Sequence, residues 1–150
     1  LPAGPVRVRD VYYVAPFANT VVTMRLRGEQ IWRLLEHGVS GRQGFLQVSG
    51  VRLKYDPAQT VGQRVRAVWV GESPLDRGRL YRVATNSFLA QGGDGYSAFA
   101  EGIDRQDTGM KLLDLLVREF ENKKQVSAPR GGRIIVMRGS DVPVPEKTAY

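Results

Sequence analysis

Apolar and polar residues alternate along several short segments of this chain. In the segment 20–27, the apolar Val22, Met24 and Leu26 alternate with polar positions that include Arg25. Successive side chains of a strand point to opposite faces, so this period of two predicts half-buried strands. Similar patterns predict the remaining strands, over 45–48, 51–55, 63–70, 80–84 and 133–138.

A helical period is visible between these strands. Gly28 leads into a segment with Ile31 and Leu34 on one face, and Glu29 and Arg33 are spaced to form an ion pair on it. Further helical segments are predicted at 6–14 and at 96–100. Asp107 and Thr108 are suited to cap the N-terminus of one more helix, whose apolar face consists of Leu113, Leu116, Val117 and Phe120. Helices mixed with strands in this order predict an α+β fold.

The length of 150 residues is that of one domain with its own core. We expect this domain to span 1–138 and a loosely attached tail to occupy 139–150, which contains two prolines. The chain opens without Met and without a signal-like segment, so we expect it to be a piece of a longer protein. It contains no apolar run that approaches the ~18 residues of a membrane-spanning helix, so no membrane span is predicted.

The net charge of +7 invites a nucleic-acid interpretation, which the distribution of charge argues against. Basic residues lie two apart in the predicted strands, as in the pairs Arg25/Arg27 and Arg52/Lys54, which is typical of solvated sheet faces. We therefore expect no nucleic-acid partner. The absence of Cys and the presence of only one His, His37, argue against a transition-metal site.

The segment 85–96, with the sequence Thr-Asn-Ser-Phe-Leu-Ala-Gln-Gly-Gly-Asp-Gly-Tyr, is the most suggestive chemically. Glycines let the backbone approach a ligand closely, the carboxylate of Asp94 is suited to bind a diol, and the ring of Phe88 is suited to stack on a flat heterocycle. A tight turn with a solvated carboxylate explains the same residues equally well. Residues 93–98 match a loose form of the glycine-rich motif of dinucleotide-binding domains. The chain lacks the repeated βαβ pattern that such a domain needs around this motif.

Three segments in order resemble the C-terminal domain of the 5'-nucleotidase family, which includes ecto-5'-nucleotidase and the periplasmic UDP-sugar hydrolase. They are Val-Ala-Pro-Phe-Ala-Asn at 14–19, Phe-Leu-Gln-Val-Ser-Gly-Val at 45–51, and Asn-Ser-Phe with Gly-Gly-Asp-Gly within 85–95. The resemblance implies a layered α/β/β/α fold. It also implies a substrate-binding site in which Phe17 and Phe88 clamp a nucleobase, Asp94 binds the ribose hydroxyls and Asn19 contacts a base edge.

The resemblance also implies that the chain is not catalytic by itself. In the family, an N-terminal metallophosphatase domain of the same polypeptide holds two divalent metal ions, and no cofactor belongs to the C-terminal domain. The whole protein is then expected to be a periplasmic or extracellular phosphoric-ester hydrolase, with cell-wall association as one form of this location.

Three other functions remain open at this point. The Phe residues at both clamp positions favour a 5'-nucleotidase over the cyclic-nucleotide phosphodiesterases, which tend to place Tyr there. A thiosulfohydrolase-like relative shares the architecture and is a further alternative. A non-enzymatic basic module that binds nucleic acid is the alternative from a different class of protein.

Overall fold

The computed structural model describes residues 3–42, 46–127 and 131–137. The helices are α1 (Val8–Val14), α2 (Gly28–Gly38), α3 (Ser87–Ala90) and α4 (Leu112–Lys123), with 3-10 turns at Gly93–Gly95 and Ser97–Phe99. The strands are β1 (Thr20–Arg27), β2 (Val51–Tyr55), β3 (Val65–Val70), β4 (Ser73–Pro74), β5 (Leu80–Asn86), β6 (Ile103–Lys111) and β7 (Ile134–Val136). This mixture of helices and strands confirms the α+β class.

The described residues divide into two compact units. The first consists of 3–34 and 77–127, and the second of 35–42, 46–76 and 131–137. The predicted boundary at residue 138, the tail 139–150 and Phe45 lie outside the described residues.

The first unit is built on a three-stranded antiparallel sheet in the order β5-β1-β6. The central strand β1 alternates as its sequence predicts, because Val22, Met24 and Leu26 are buried while Arg25 and Arg27 are exposed. The basic residues of this strand therefore face solvent, as expected for the outward face of a half-buried sheet.

The second unit contains a four-stranded sheet in the order β4-β3-β2-β7, in which β7 runs parallel to β2 and the other pairs are antiparallel. Its core includes Leu53 of β2 and Val68 of β3. The buried carboxylate of Glu36 accepts hydrogen bonds from the backbone N–H groups of Arg64 and Val65, at 3.0 and 2.9 Å, and so fixes the start of β3.

The helix predicted to carry Leu113, Leu116, Val117 and Phe120 is present as α4, but its predicted start is wrong, since Asp107 and Thr108 lie within strand β6. The carboxylate of Asp107 accepts a hydrogen bond from the backbone N–H of Gly109, two residues on, at a point where the pairing with β1 is irregular. This is the local hydrogen bonding that makes Asp a good helix cap, here used in a strand irregularity. The helix begins at Leu112, after Lys111.

The strand predicted over 45–48 is also wrong in its described part, because 46–48 have no regular secondary structure. The carbonyl of Val48 accepts a hydrogen bond from the guanidinium of Arg133, at 2.8 Å, and this bond takes the place of one in a strand ladder. Apolar residues at 46 and 48 therefore mark a partly buried loop.

Candidate functional site

Three of the four predicted site residues lie on segments that meet at one end of the first unit's sheet. Strands β1 and β5 are antiparallel, and Val21 at the start of β1 is paired with Asn86 at the end of β5. Because of this register, the segment that leads into β1 and carries Phe17 and Asn19 comes close to the segment after β5, which carries Phe88.

A pair of hydrogen bonds joins these two segments. The hydroxyl of Ser87 donates to Oδ1 of Asn19 and accepts from the backbone N–H of Thr20, both at 3.2 Å. The backbone carbonyl of Asn19 accepts a hydrogen bond from the N–H of Leu112 at the start of α4, which holds the same segment from its other side. The side chain of Asn19 is therefore partly engaged within the protein, and its amide oxygen faces Ser87.

The two phenylalanine rings are exposed to different degrees. Phe17 is 71% exposed and Phe88 is 47% exposed, although apolar side chains of this size are usually buried. Phe88 lies in the first turn of α3, whose N-cap is Asn86. The side chain of Asn86 accepts a hydrogen bond from the backbone N–H of Leu89, at 2.8 Å. The cap fixes the direction of the turn from which the Phe88 side chain projects.

Asp94 occupies a tight glycine turn just beyond α3. Gly92 and Gly95 have φ values of 87° and 80°, and Asp94 itself is left-handed with φ 54° and ψ 25°. Non-glycine residues in this conformation store about 1–3 kcal/mol of strain and are common where a side chain is positioned for function. The side chain of Asp94 is exposed.

Tyr96 anchors the far end of this turn. Its side chain is buried and packs near the ring of Phe99, with the two ring centroids 6.3 Å apart. Burial, and secondarily the nearby negative charge of Asp94, raise the pKa of the Tyr96 phenol above its ordinary value. The turn is therefore held on its inner side by a neutral aromatic residue, while the carboxylate lies on its outer side.

Within the described residues, no group of three or more His, Cys, Asp or Glu side chains is arranged to hold a metal ion. None of the helices that the structure describes is long and apolar enough to cross a membrane. The exposed rings of Phe17 and Phe88, together with the exposed Asp94 in the turn after α3, suit binding by stacking and hydrogen bonding.

Comparison with known proteins gives consistent matches. The profile of the 5'-nucleotidase C-terminal domain matches residues 1–101. A 5'-nucleotidase precursor from Thermus thermophilus has a crystal structure that superposes with a TM-score of 0.87 at 42% identity, over 91% of this chain and 29% of that one. An apyrase of Aedes albopictus is 34% identical over 92% of this chain and 27% of its own length. The trifunctional nucleotide phosphoesterase YfkN of Bacillus subtilis (strain 168) is 34% identical over 87% of this chain and 10% of its own length.

These matches define a class of domain that occurs in proteins named 5'-nucleotidase, apyrase and nucleotide phosphoesterase. The chain belongs to the 5'-nucleotidase C-terminal domain family. The resemblance stated from the three sequence segments is confirmed, and so is the fold that it implies. The chain spans only about a quarter of the apyrase that it matches, at 27% of that protein's length.

Sequence patterns do not reveal the roles of two residues of the site. Ser87 belongs to a motif, but its role as the bridge to Asn19 depends on a contact between residues 68 positions apart. Gly93 also belongs to the motif, but its contact with the ring of Phe88, which the neighbouring Gly92 does not make, is visible only in the structure. Membership of the motif within 85–95 is the local signal that the sequence offers for both residues.

Proposed function

We propose that this chain is the nucleotide-recognition domain of a two-domain, metal-dependent 5'-nucleotidase. In this proposal the rings of Phe17 and Phe88 stack on the two faces of a nucleobase, and Asp94 accepts hydrogen bonds from the ribose hydroxyls. Asn19 contributes a contact to the base edge through its amide nitrogen, since its oxygen faces Ser87. The observation that carries the proposal is the exposure of both rings, 71% and 47%, on segments that are hydrogen-bonded to each other.

The exposed surface of both rings can contribute to the free energy of binding. Both rings keep apolar surface in water that a flat base would cover, and stacking of a base on an aromatic side chain contributes about 1–3 kcal/mol. Asp94 adds charge-assisted hydrogen bonds, which contribute more than bonds between neutral groups. Asp94 is exposed and has a left-handed backbone with φ 54°.

The chemical step is assigned to the rest of the protein. In the proposal, an N-terminal metallophosphatase domain binds two divalent metal ions, which supply activated water and neutralise the charge of the phosphate. The residues of this chain bind and orient the nucleoside part of the substrate. We propose further that the whole protein acts outside the cytoplasm, and that this chain alone does not hydrolyse nucleotides, with or without added divalent metals.

The test is a titration of adenosine and AMP, followed by NMR chemical shifts, on the wild type and on Phe88→Ala. Loss of one stacking ring is expected to weaken binding about 5- to 150-fold, from about 1–3 kcal/mol. Tyr13→Ala is the matched control, because Tyr13 is an aromatic residue of the same unit that is 84% exposed, lies on α1 and is assigned no contact with the ligand. Equal affinity of Phe88→Ala and the wild type would contradict the clamp.

Asp94→Asn tests the ribose contact separately. Asn tolerates the left-handed conformation as Asp does, so the turn is expected to persist while the charge is lost. Adenosine binding should weaken, whereas a 2',3'-dideoxy analogue should bind both proteins equally. Binding of long oligonucleotides with a steep salt dependence, together with indifference to mononucleosides, would favour the nucleic-acid alternative instead.

A further inference from the structure

The ring of Phe88 lies directly against the backbone of Gly93. A methyl group placed on Gly93 would come within 2.6 Å of Cε1 and Cζ of Phe88 and within 2.7 Å of its Cδ1. Ordinary carbon contacts are near 3.5–4.0 Å, so the space that a side chain at this position would need is filled by the ring. By contrast, a methyl group on Gly92 would meet only the backbone of Ser97, at 3.5 Å.

Local hydrogen bonds bring Gly93 to this place. After α3, the N–H of Gln91 donates to the carbonyl of Phe88 at 3.2 Å, and the N–H of Gly92 donates to the carbonyl of Leu89 at 2.8 Å. Gly92 then reverses the chain with a φ of 87°. As a result, the peptide of Gly93 lies against the ring of Phe88, which precedes it by five residues in the chain.

We propose that Gly93 is a positioning residue for nucleoside binding, because its missing side chain lets the Phe88 ring rest on the peptide and keeps the ring's outer surface open. The inference rests on the proposed function and deepens it. A ring that is already supported on one side loses less conformational freedom when a base stacks on the other. Ordering a mobile side chain on binding weakens affinity by about 2- to 10-fold, and a displaced ring loses the stacking contact as well.

The backbone of Gly93 does not itself require glycine. Among the glycines of this turn, Gly92 and Gly95 have left-handed φ values and Gly93 does not. An alanine at this position is therefore compatible with the backbone, and the three atoms nearest to its methyl group all belong to one rotatable side chain, that of Phe88. We expect Gly93→Ala to keep the fold and to move the ring of Phe88.

The experiment compares Gly93→Ala with Gly131→Ala. Gly131 is the matched control, because no atom of the described residues lies within 4 Å of the methyl group that alanine would add. The first readout is the set of Phe88 ring resonances in ligand-free protein with labelled phenylalanine, assigned by their loss in Phe88→Ala. The second is the affinity for adenosine.

Gly93→Ala is expected to shift the Phe88 ring resonances and to weaken adenosine binding about tenfold or more, while Gly131→Ala changes neither. In the Phe88→Ala background, Gly93→Ala should have no further effect on affinity. Unchanged ring resonances in Gly93→Ala would overturn the inference. If Gly93→Ala weakens adenosine binding further in a protein that already carries Phe88→Ala, the inference would also be overturned.

Two further outcomes keep the test decisive. If Gly93→Ala is too unstable to study, the Phe88→Ala background should restore its stability by making room for the methyl group, and failure of that rescue would overturn the inference. If the wild type binds no nucleoside, the proposed function fails. The Phe88 ring resonances of the ligand-free proteins then decide by themselves whether Gly93 positions the ring.

Discussion

The hydroxyl of Ser87 offers the sharpest test of how the two halves of the site are joined. Ser87→Ala removes its hydrogen bonds to Oδ1 of Asn19 and from the N–H of Thr20, both 3.2 Å long. These distances are at the long end of the usual range, so each bond is expected to contribute about 0.5–1 kcal/mol. The substitution should therefore lower the free energy of unfolding by about 1–2 kcal/mol.

The assay is urea denaturation of four proteins: the wild type, Asn19→Ala, Ser87→Ala and the double variant. Asn19→Ala removes only the side-chain bond, because the bond from Leu112 is made to the backbone carbonyl of residue 19. The single variants share one hydrogen bond, so the cycle should give a coupling energy of about 0.5–1 kcal/mol. Ser97→Ala, an exposed serine in the neighbouring 3-10 turn, serves as the control and should stay within about 0.5 kcal/mol of the wild type.

A functional consequence accompanies the loss of stability. Without the bridge, the segments of Phe17 and Phe88 are no longer tied together, so adenosine binding should weaken in Ser87→Ala while both rings remain present. A coupling energy indistinguishable from zero, together with unchanged affinity, would refute the reasoning. That result would mean that strand pairing alone holds the two segments in place.

The remaining predictions concern stability. Glu36→Ala should lower the free energy of unfolding by about 3 kcal/mol, since two backbone N–H groups lose a charged acceptor, and Glu36→Gln should cost about half as much in the same urea assay. A cost below about 1 kcal/mol for Glu36→Ala would show that water replaces the carboxylate. Hydrogen bonds from the side chain of Gln59 and the backbone N–H of Ala58 lower the pKa of Asp56 in the folded protein. The ionised carboxylate therefore contributes to the free energy of unfolding above the unfolded-state pKa of about 3.9. This contribution is lost as the pH falls through the lower pKa of the folded state. Asp56→Asn should therefore lose less stability than the wild type between pH 5 and pH 3, and equal losses would contradict this assignment.

Local sequence was sufficient for the elements whose pattern is set by burial of one face. Strand β1 forms where the alternation of Val22, Met24 and Leu26 predicts it, because period-two burial is a property of neighbouring residues. The helix α2 begins at Gly28 for the corresponding reason. The family itself was also accessible, because three ordered segments carry it.

Ion pairs and caps were decided by distant contacts. Glu29 and Arg33 are spaced to pair on α2, but Glu29 bonds Arg77 at 3.1 Å and Arg33 bonds Glu101. Asp107 has the chemistry of a helix cap and uses it within a strand. Spacing shows which partners are within local reach, but the partner chosen depends on which other segments the fold brings near.

The sequence by itself determined the class of fold, the buried face of β1 and the family to which the chain belongs. Only the tertiary structure decided that Ser87 joins the segments of Phe17 and Phe88, and that Gly93 lies under the ring of Phe88. The physical reason is one of range. Periodic burial is encoded in adjacent residues, whereas a 3.2 Å hydrogen bond between residues 68 apart exists only after β1 and β5 have paired in one register.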